Sequence, residues 1–93
     1  MAQHSSAKKA ARQEARQRLR NRSVRSTIKT HVRKAELLIG NEELAEADIA
    51  VHRALRVLDR AAKKGVIHHS NAARRKSRLM LRLNAAKVAA SAN

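Results

Sequence analysis

Apolar residues recur along the chain at helical spacing. Val24, Ile28, Val32, Ala35 and Ile39 fall three or four positions apart and define one face of a helix. Leu44, Ala47, Val51, Ala54, Leu55, Leu58 and Ala62 form a second stripe. A third runs through Ala72, Lys76, Leu79, Met80, Leu83, Ala86 and Ala90, with the Lys76 stem able to lie along apolar surface while its ammonium reaches water. Leu81 and Val88 lie off that stripe. Only two points interrupt the pattern. At Gly40-Asn41, the glycine can end a helix in the left-handed conformation and Asn41 can cap the next, with Glu42 and Glu43 favourably placed at its positive end. At Lys63-Lys64-Gly65-Val66-Ile67, cations in a last turn, then glycine, then an apolar residue predict a Schellman stop, after which Ser70 or Asn71 caps a third helix. The predicted helices run from about Ser6 to Ile39, Glu42 to Lys64 and Ala72 to Ala90. Short loops between amphipathic helices imply an all-α fold, a three-helix up-down-up bundle forming one domain over residues 1–93, with a small core.

The first helix carries two stripes that do not line up. At about 100° per residue, Ala7, Ala11, Ala15 and Leu19 point well away from Val24–Ile39, so a straight helix cannot bury both against the same neighbours. At ~1.5 Å per residue, residues 6–39 would span roughly 50 Å, longer than either partner helix. Residues 1–20 are therefore expected to project as a basic arm, mobile in the free chain and ordered on a bound surface.

Composition narrows the functional classes. Of 93 residues, 22 are Lys or Arg and 7 are Asp or Glu, for a net charge of +15 with histidine neutral, which points to a polyanionic partner. The charge is unevenly placed. Residues 1–34 hold 11 Lys/Arg against Glu14 alone, residues 35–59 hold six acids against Arg53 and Arg56, and residues 60–93 hold nine cations and no acid. Two basic arms thus flank an acidic middle, and the partner is expected to touch the arms. Without aromatics there is no base-stacking platform of the single-strand-binding kind. The absence of proline and the presence of only two glycines argue against a many-turned β-sandwich or barrel. Without cysteine there is neither disulfide nor thiolate chemistry. The longest apolar run, Leu37-Leu38-Ile39, is far too short to span a bilayer. The acid-poor first segment shares its composition with a transit peptide, but its helical pattern continues unbroken into the next stretch.

The cations are arranged in ridges. Arg18, Arg22, Arg25, Lys29 and Arg33 follow one another at spacings of three and four beside the apolar face, and Lys8, Arg12, Arg16 and Arg20 form a second ridge on the projecting half. Such ridges suit the phosphates along a nucleic-acid groove. Asn21, Ser23, Ser26, Thr27 and Thr30 lie among them as potential donors to phosphate or ribose. A second cluster joins Lys63, Lys64 and Gly65 to His68, His69, Ser70 and Asn71, then to Arg74, Arg75, Lys76, Ser77 and Arg78. Cations in the first turn of a helix oppose its dipole, so a bound phosphate is expected there. Adjacent His68 and His69 among cations suit phosphate or ribose contact and not a metal, while His31 at the edge of the core face reads as a packed histidine. No metal site, no cofactor and no small-molecule substrate is expected. The acids gather where they cap and solubilise a helix, and no phosphate loop or nucleophile motif is present, which argues against an enzyme.

The run LDRAAKKGVIHHSNAARRKSRL from Leu58 to Leu79 closely resembles the signature of the S-twenty family of bacterial small-subunit ribosomal proteins, and SSAKKAARQ (Ser5–Gln13) and RNRSVRSTIKT (Arg20–Thr30) are similar to its first-helix motifs. The resemblance covers nearly the whole chain. It implies a three-helix bundle that binds 16S ribosomal RNA directly, joins early in assembly near the foot of the small subunit, and works on a cytoplasmic or organellar ribosome. Carried over by position, it implies RNA contacts at Lys8, Lys9, Arg12, Arg16, Asn21, Ser23, Arg25, Ser26, Thr30, Lys64, Gly65, His68, Asn71, Arg74, Lys76, Ser77 and Arg78. The sequence departs from the family at His4, usually apolar, and at His69-Ser70, usually more basic.

Two other readings compete. A histone-like DNA-compacting protein would wrap duplex DNA as a dimer, but no exposed apolar dimer face is evident, so the chain is expected to be a monomer apart from the ribosome. A membrane-surface helix would need a wide apolar face with aromatic anchors, and none is present, so no membrane partner is expected.

Overall fold

A computed structural model describes the backbone of residues 2–92 and the side chains of residues 6–92. Departures at His4 therefore lie outside the described side chains. Three helices follow one another, α1 (Ala2–Gly40), α2 (Leu44–Lys63) and α3 (His69–Ala92). No strand occurs among the described residues.

Both turns close by the same hydrogen-bond pattern. After α2, the Gly65 N–H donates to the Ala62 carbonyl (3.0 Å) and the Val66 N–H to the Ala61 carbonyl (3.0 Å), with Gly65 at φ +77°. This is the Schellman stop expected from the sequence. After α1, the Glu42 N–H donates to Ile39 (3.1 Å) and the Glu43 N–H to Leu38 (3.1 Å). The left-handed residue there is Glu42, at φ 60°, and not Gly40, which remains helical. Asn41 does not cap α2. Its N–H donates to Leu37 at the end of α1 (2.9 Å), and α2 begins at Leu44 behind Glu43, which makes no side-chain cap bond. The turn needs two residues beyond Gly40 to reverse the chain, which displaces the cap from Asn41 to Glu43. The cap of α3 also differs from expectation. It is His68, not Ser70 or Asn71, and α3 starts at His69.

Ion pairs and side-chain neighbours fix the topology. Val24 and Thr27 lie beside Ala61 and Lys64, whereas Leu38 lies beside Glu46, so α1 and α2 are antiparallel. Lys76–Asp59 and Lys87–Asp48 run α3 antiparallel to α2. Arg82–Glu36 ties α3 to the parallel α1. The result is up-down-up.

The core comprises Ile28, Val51, Leu58, Leu79 and Leu83 with Ala35, Ala47, Ala50, Ala54, Ala61 and Ala72. Alanines let the axes approach closely, so many apolar contacts form with few large side chains. Ala50 and Ala61, outside the predicted α2 stripe, are buried because α2 is the central helix and faces two neighbours. At about 1.5 Å per residue, α1 with its 39 residues is about 58 Å long and α2 with 20 about 30 Å. The excess lies at the N-terminal end of α1, where every described side chain from Ser6 to Arg20 is exposed. The radius of gyration is accordingly 18.5 Å, against about 12 Å for a compact domain of this length.

Candidate nucleic-acid interface

The helical phase of α1 puts Arg25, Lys29 and Arg33 along one edge of the bundle, where they share an open groove with Asn71 and Arg75 of α3. On the other side of the α2–α3 turn, Arg20 and Asn21 share a recess with Lys64 and Val66. The two basic regions that are far apart in sequence therefore meet around one turn at one end of the bundle. Lys8, Lys9, Arg12, Arg16, Arg18 and Arg20 extend this zone along the projecting half of α1, all exposed. Arg22, Ser23, Ser26 and Thr30 are exposed beside them, as are Lys63, Lys64, Gly65, His68, His69, Arg74, Arg75, Ser77 and Arg78 around the turn. Asn21 and Asn71 are half-buried.

Five of the seven acids lie elsewhere, the exceptions being Glu14 on the projecting half and Asp59 in the last turns of α2. Glu36, Glu42, Glu43, Glu46 and Asp48 cluster at the α1–α2 end, so the molecule is polarised along its length. They also sort the cations. Lys76 Nζ sits 2.7 Å from Asp59 Oδ1, Lys87 Nζ 2.8 Å from Asp48 Oδ1 and Arg82 Nη1 3.0 Å from Glu36 Oε1. These three fasten α3 to the rest of the bundle. Lys76, expected to reach RNA, thus pairs at the surface with Asp59 of α2. The Lys87 hydrogen bond holds the Asp48 carboxyl below its ordinary range, aided by the charges of Lys87 and His52 and opposed by desolvation.

Some hydroxyls are also committed. Thr27 and Thr30 donate to the carbonyls of Ser23 and Ser26 (3.0 Å each), so in this geometry they offer a partner only their lone pairs. At the start of α3, the Ser70 N–H (3.2 Å) and hydroxyl (2.7 Å) both approach His68 Nδ1. Nδ1 must then be the acceptor, which places the ring proton on Nε2. His68 thus caps its helix through Nδ1, and its exposed ring leaves Nε2 to a partner. Asn71 Oδ1 is shut off from water with no hydrogen-bond partner, a cost of roughly 1–3 kcal/mol for a buried polar group. Arg60 was not among the sequence candidates, yet it sits with Lys64 beside Ser23 and Thr27. Its spacing of four from Lys64 is the signal that would have found it. Among the described residues no cluster of His, Asp or Glu is built to hold a metal ion, and no helix is long and apolar enough to cross a membrane.

A family profile described as "Ribosomal protein S20" matches residues 2–84. The small ribosomal subunit protein bS20 of Thermomicrobium roseum is 49% identical over 85 residues, covering 91% of this chain and 86% of that protein. Its counterpart in Dehalococcoides mccartyi is 45% identical over 86 residues, covering 92% and 98%. That of Pseudomonas paraeruginosa is 42% identical over 91 residues, covering 98% and 100%. An all-helical bundle polarised between a basic turn and an acidic one, together with these likenesses along nearly the whole chain, places the protein in the ribosomal protein S20 family of the small subunit, a structural family and not an enzymatic one.

Proposed function

We propose that this protein binds 16S ribosomal RNA directly, as a monomer before it joins the small subunit, and that it helps the subunit assemble in the cytoplasm. One observation carries the reading: cations that make no ion pair gather around the α2–α3 turn and along the projecting half of α1, with Arg25, Lys29, Arg33 and Arg75 in one groove and Arg20 and Lys64 in another, apart from the five acids at the α1–α2 end. A solvated charged surface would have no reason to separate its cations in this way. Neutralising RNA phosphates relieves the mutual repulsion of the arm and releases counterions from the RNA. The exposed His68 ring, the two asparagines and the exposed serines add directional contacts to phosphate or ribose oxygens.

The test is hydroxyl-radical footprinting of 16S RNA with the full chain, alongside binding to duplex DNA of equal length at matched salt. Discrete protected segments and a clear preference for the ribosomal RNA are expected. Equal affinity for duplex DNA, with no discrete footprint, would favour a histone-like role instead.

A further inference from the structure

An open groove of about 630 Å³ runs between α1, the α2–α3 turn and the first turns of α3. Its floor is aliphatic, made by Ile28, Val32, Val66 and Ile67, and its rim is cationic, made by Arg25, Lys29, Arg33 and Arg75. Val32, Val66 and Ile67 are only half-buried, so the groove leaves apolar surface facing water. Asn71 lines it too, and the amide oxygen of that residue lacks a partner. The occupant that satisfies all three features carries negative charge, has apolar faces and presents a hydrogen-bond donor at an edge. Paired duplex RNA does not qualify, because its bases hide their faces in the stack. An unstacked nucleotide does.

We propose that the groove receives one unstacked nucleotide of the bound RNA, an inference that rests on the RNA-binding reading above. The base lies on the aliphatic floor, and guanidinium planes at the rim supply the stacking surface that an aromatic side chain gives in other proteins. The Asn71 amide oxygen, buried without a partner in the free chain, comes into the groove by rotation of its side chain and accepts a hydrogen bond from an exocyclic amino group of the base. The adjoining phosphates lie against Arg25, Lys29, Arg33 and Arg75. Recognition of this kind adds a base preference to a surface that otherwise reads only the RNA backbone.

The experiment compares two footprints on 16S RNA: base-specific chemical modification and hydroxyl-radical cleavage of the backbone. The full chain is used as wild type, Asn71→Ala and Val66→Glu, each with its thermal melt. Asn71→Ala removes an unsatisfied amide and should leave folding intact, so it decides the matter if Val66→Glu unfolds. Wild type is expected to protect one unpaired base that both variants leave reactive. The backbone footprint should persist, and affinity should fall about tenfold or less. Identical base reactivity with wild type and Asn71→Ala would overturn the proposal while leaving RNA binding intact, as would a wild-type complex that protects no unpaired base. Loss of the backbone footprint in both folded variants would also overturn it, because the groove would then hold phosphates alone. Absence of any backbone footprint with wild type would sink the RNA-binding reading itself.

Discussion

Residues 6–20 and residues 24–39 belong to one helix, yet their supports differ. Every described side chain of the first group is exposed. The second group sends Ile28 and Ala35 into the core and packs Val24, Val32 and Ile39 against it. Lys8, Arg12, Arg16 and Arg20 stand four apart, so each neighbouring pair repels along the helix by roughly 0.2–0.5 kcal/mol. No acid occupies the first turn to complement the dipole. Short helices without packing are marginal in water. The comparison teaches that the same backbone geometry rests on burial in one half and, in the RNA-bound state we propose, on phosphate in the other.

The largest expected effect separates the two halves by stability. Leu58 is fully buried, and Leu58→Ala should cost about 2–5 kcal/mol, enough to unfold much of a small-core bundle. Leu19, in the projecting half, is 65% exposed, and Leu19→Ala should leave the urea midpoint almost unchanged. A large shift from Leu19→Ala would mean that the arm packs on something.

RNA affinity should divide along the opposite line. Arg18→Ala with Arg22→Ala removes two charges from the exposed ridge, and Arg82→Ala with Lys87→Ala removes two that are paired to Glu36 and Asp48. In salt-dependent filter binding, the first pair should weaken association and lower the slope by up to about two units. The second should change both much less. Equal losses would mean that RNA senses only net charge.

A finer comparison concerns the two turns. Gly65 has open space where a Cβ would stand, so Gly65→Val should destabilise by about 1 kcal/mol or more through its positive φ alone. Gly65→Asn should recover much of that loss. Glu42 holds the equivalent left-handed position with a side chain, and Glu42→Gly should raise stability by up to about 1 kcal/mol in thermal melts. Unchanged stability in Gly65→Val would contradict the helix stop.

The smallest effect is a pH response at the acidic end. The folded Asp48 carboxyl titrates below its ordinary value of 3.8. Its pairing with Lys87 therefore favours the fold above that value and is lost as pH falls from it towards the lowered one. Lys87→Ala should flatten the acid limb of the stability curve slightly in that window, as read by melts between pH 5 and 2.

Much of this architecture was legible in periodicity. The mismatched stripes of Ala7–Leu19 and Val24–Ile39 already required a projecting half-helix, and Gly65 marked its turn. The first turn was not legible, because a glycine next to asparagine suggests a stop at Gly40, whereas the chain reverses two residues later on Glu42. Nor was the pairing of Lys76, since which cation faces Asp59 depends on how α3 packs on α2. The meeting of Arg25, Lys29 and Arg33 with Asn71 and Arg75 likewise follows from the bundle's handedness and not from any local pattern.

Residue-resolved amide hydrogen exchange, on the free chain and on its complex with 16S RNA, tests the central comparison most directly. The account predicts strong protection of Ile28 to Ala35 in both states, with Ala10 to Leu19 exchanging almost freely until RNA is added and slowing markedly afterwards. Strong protection of Ala10 to Leu19 in the free protein, or none gained in the complex, would contradict it.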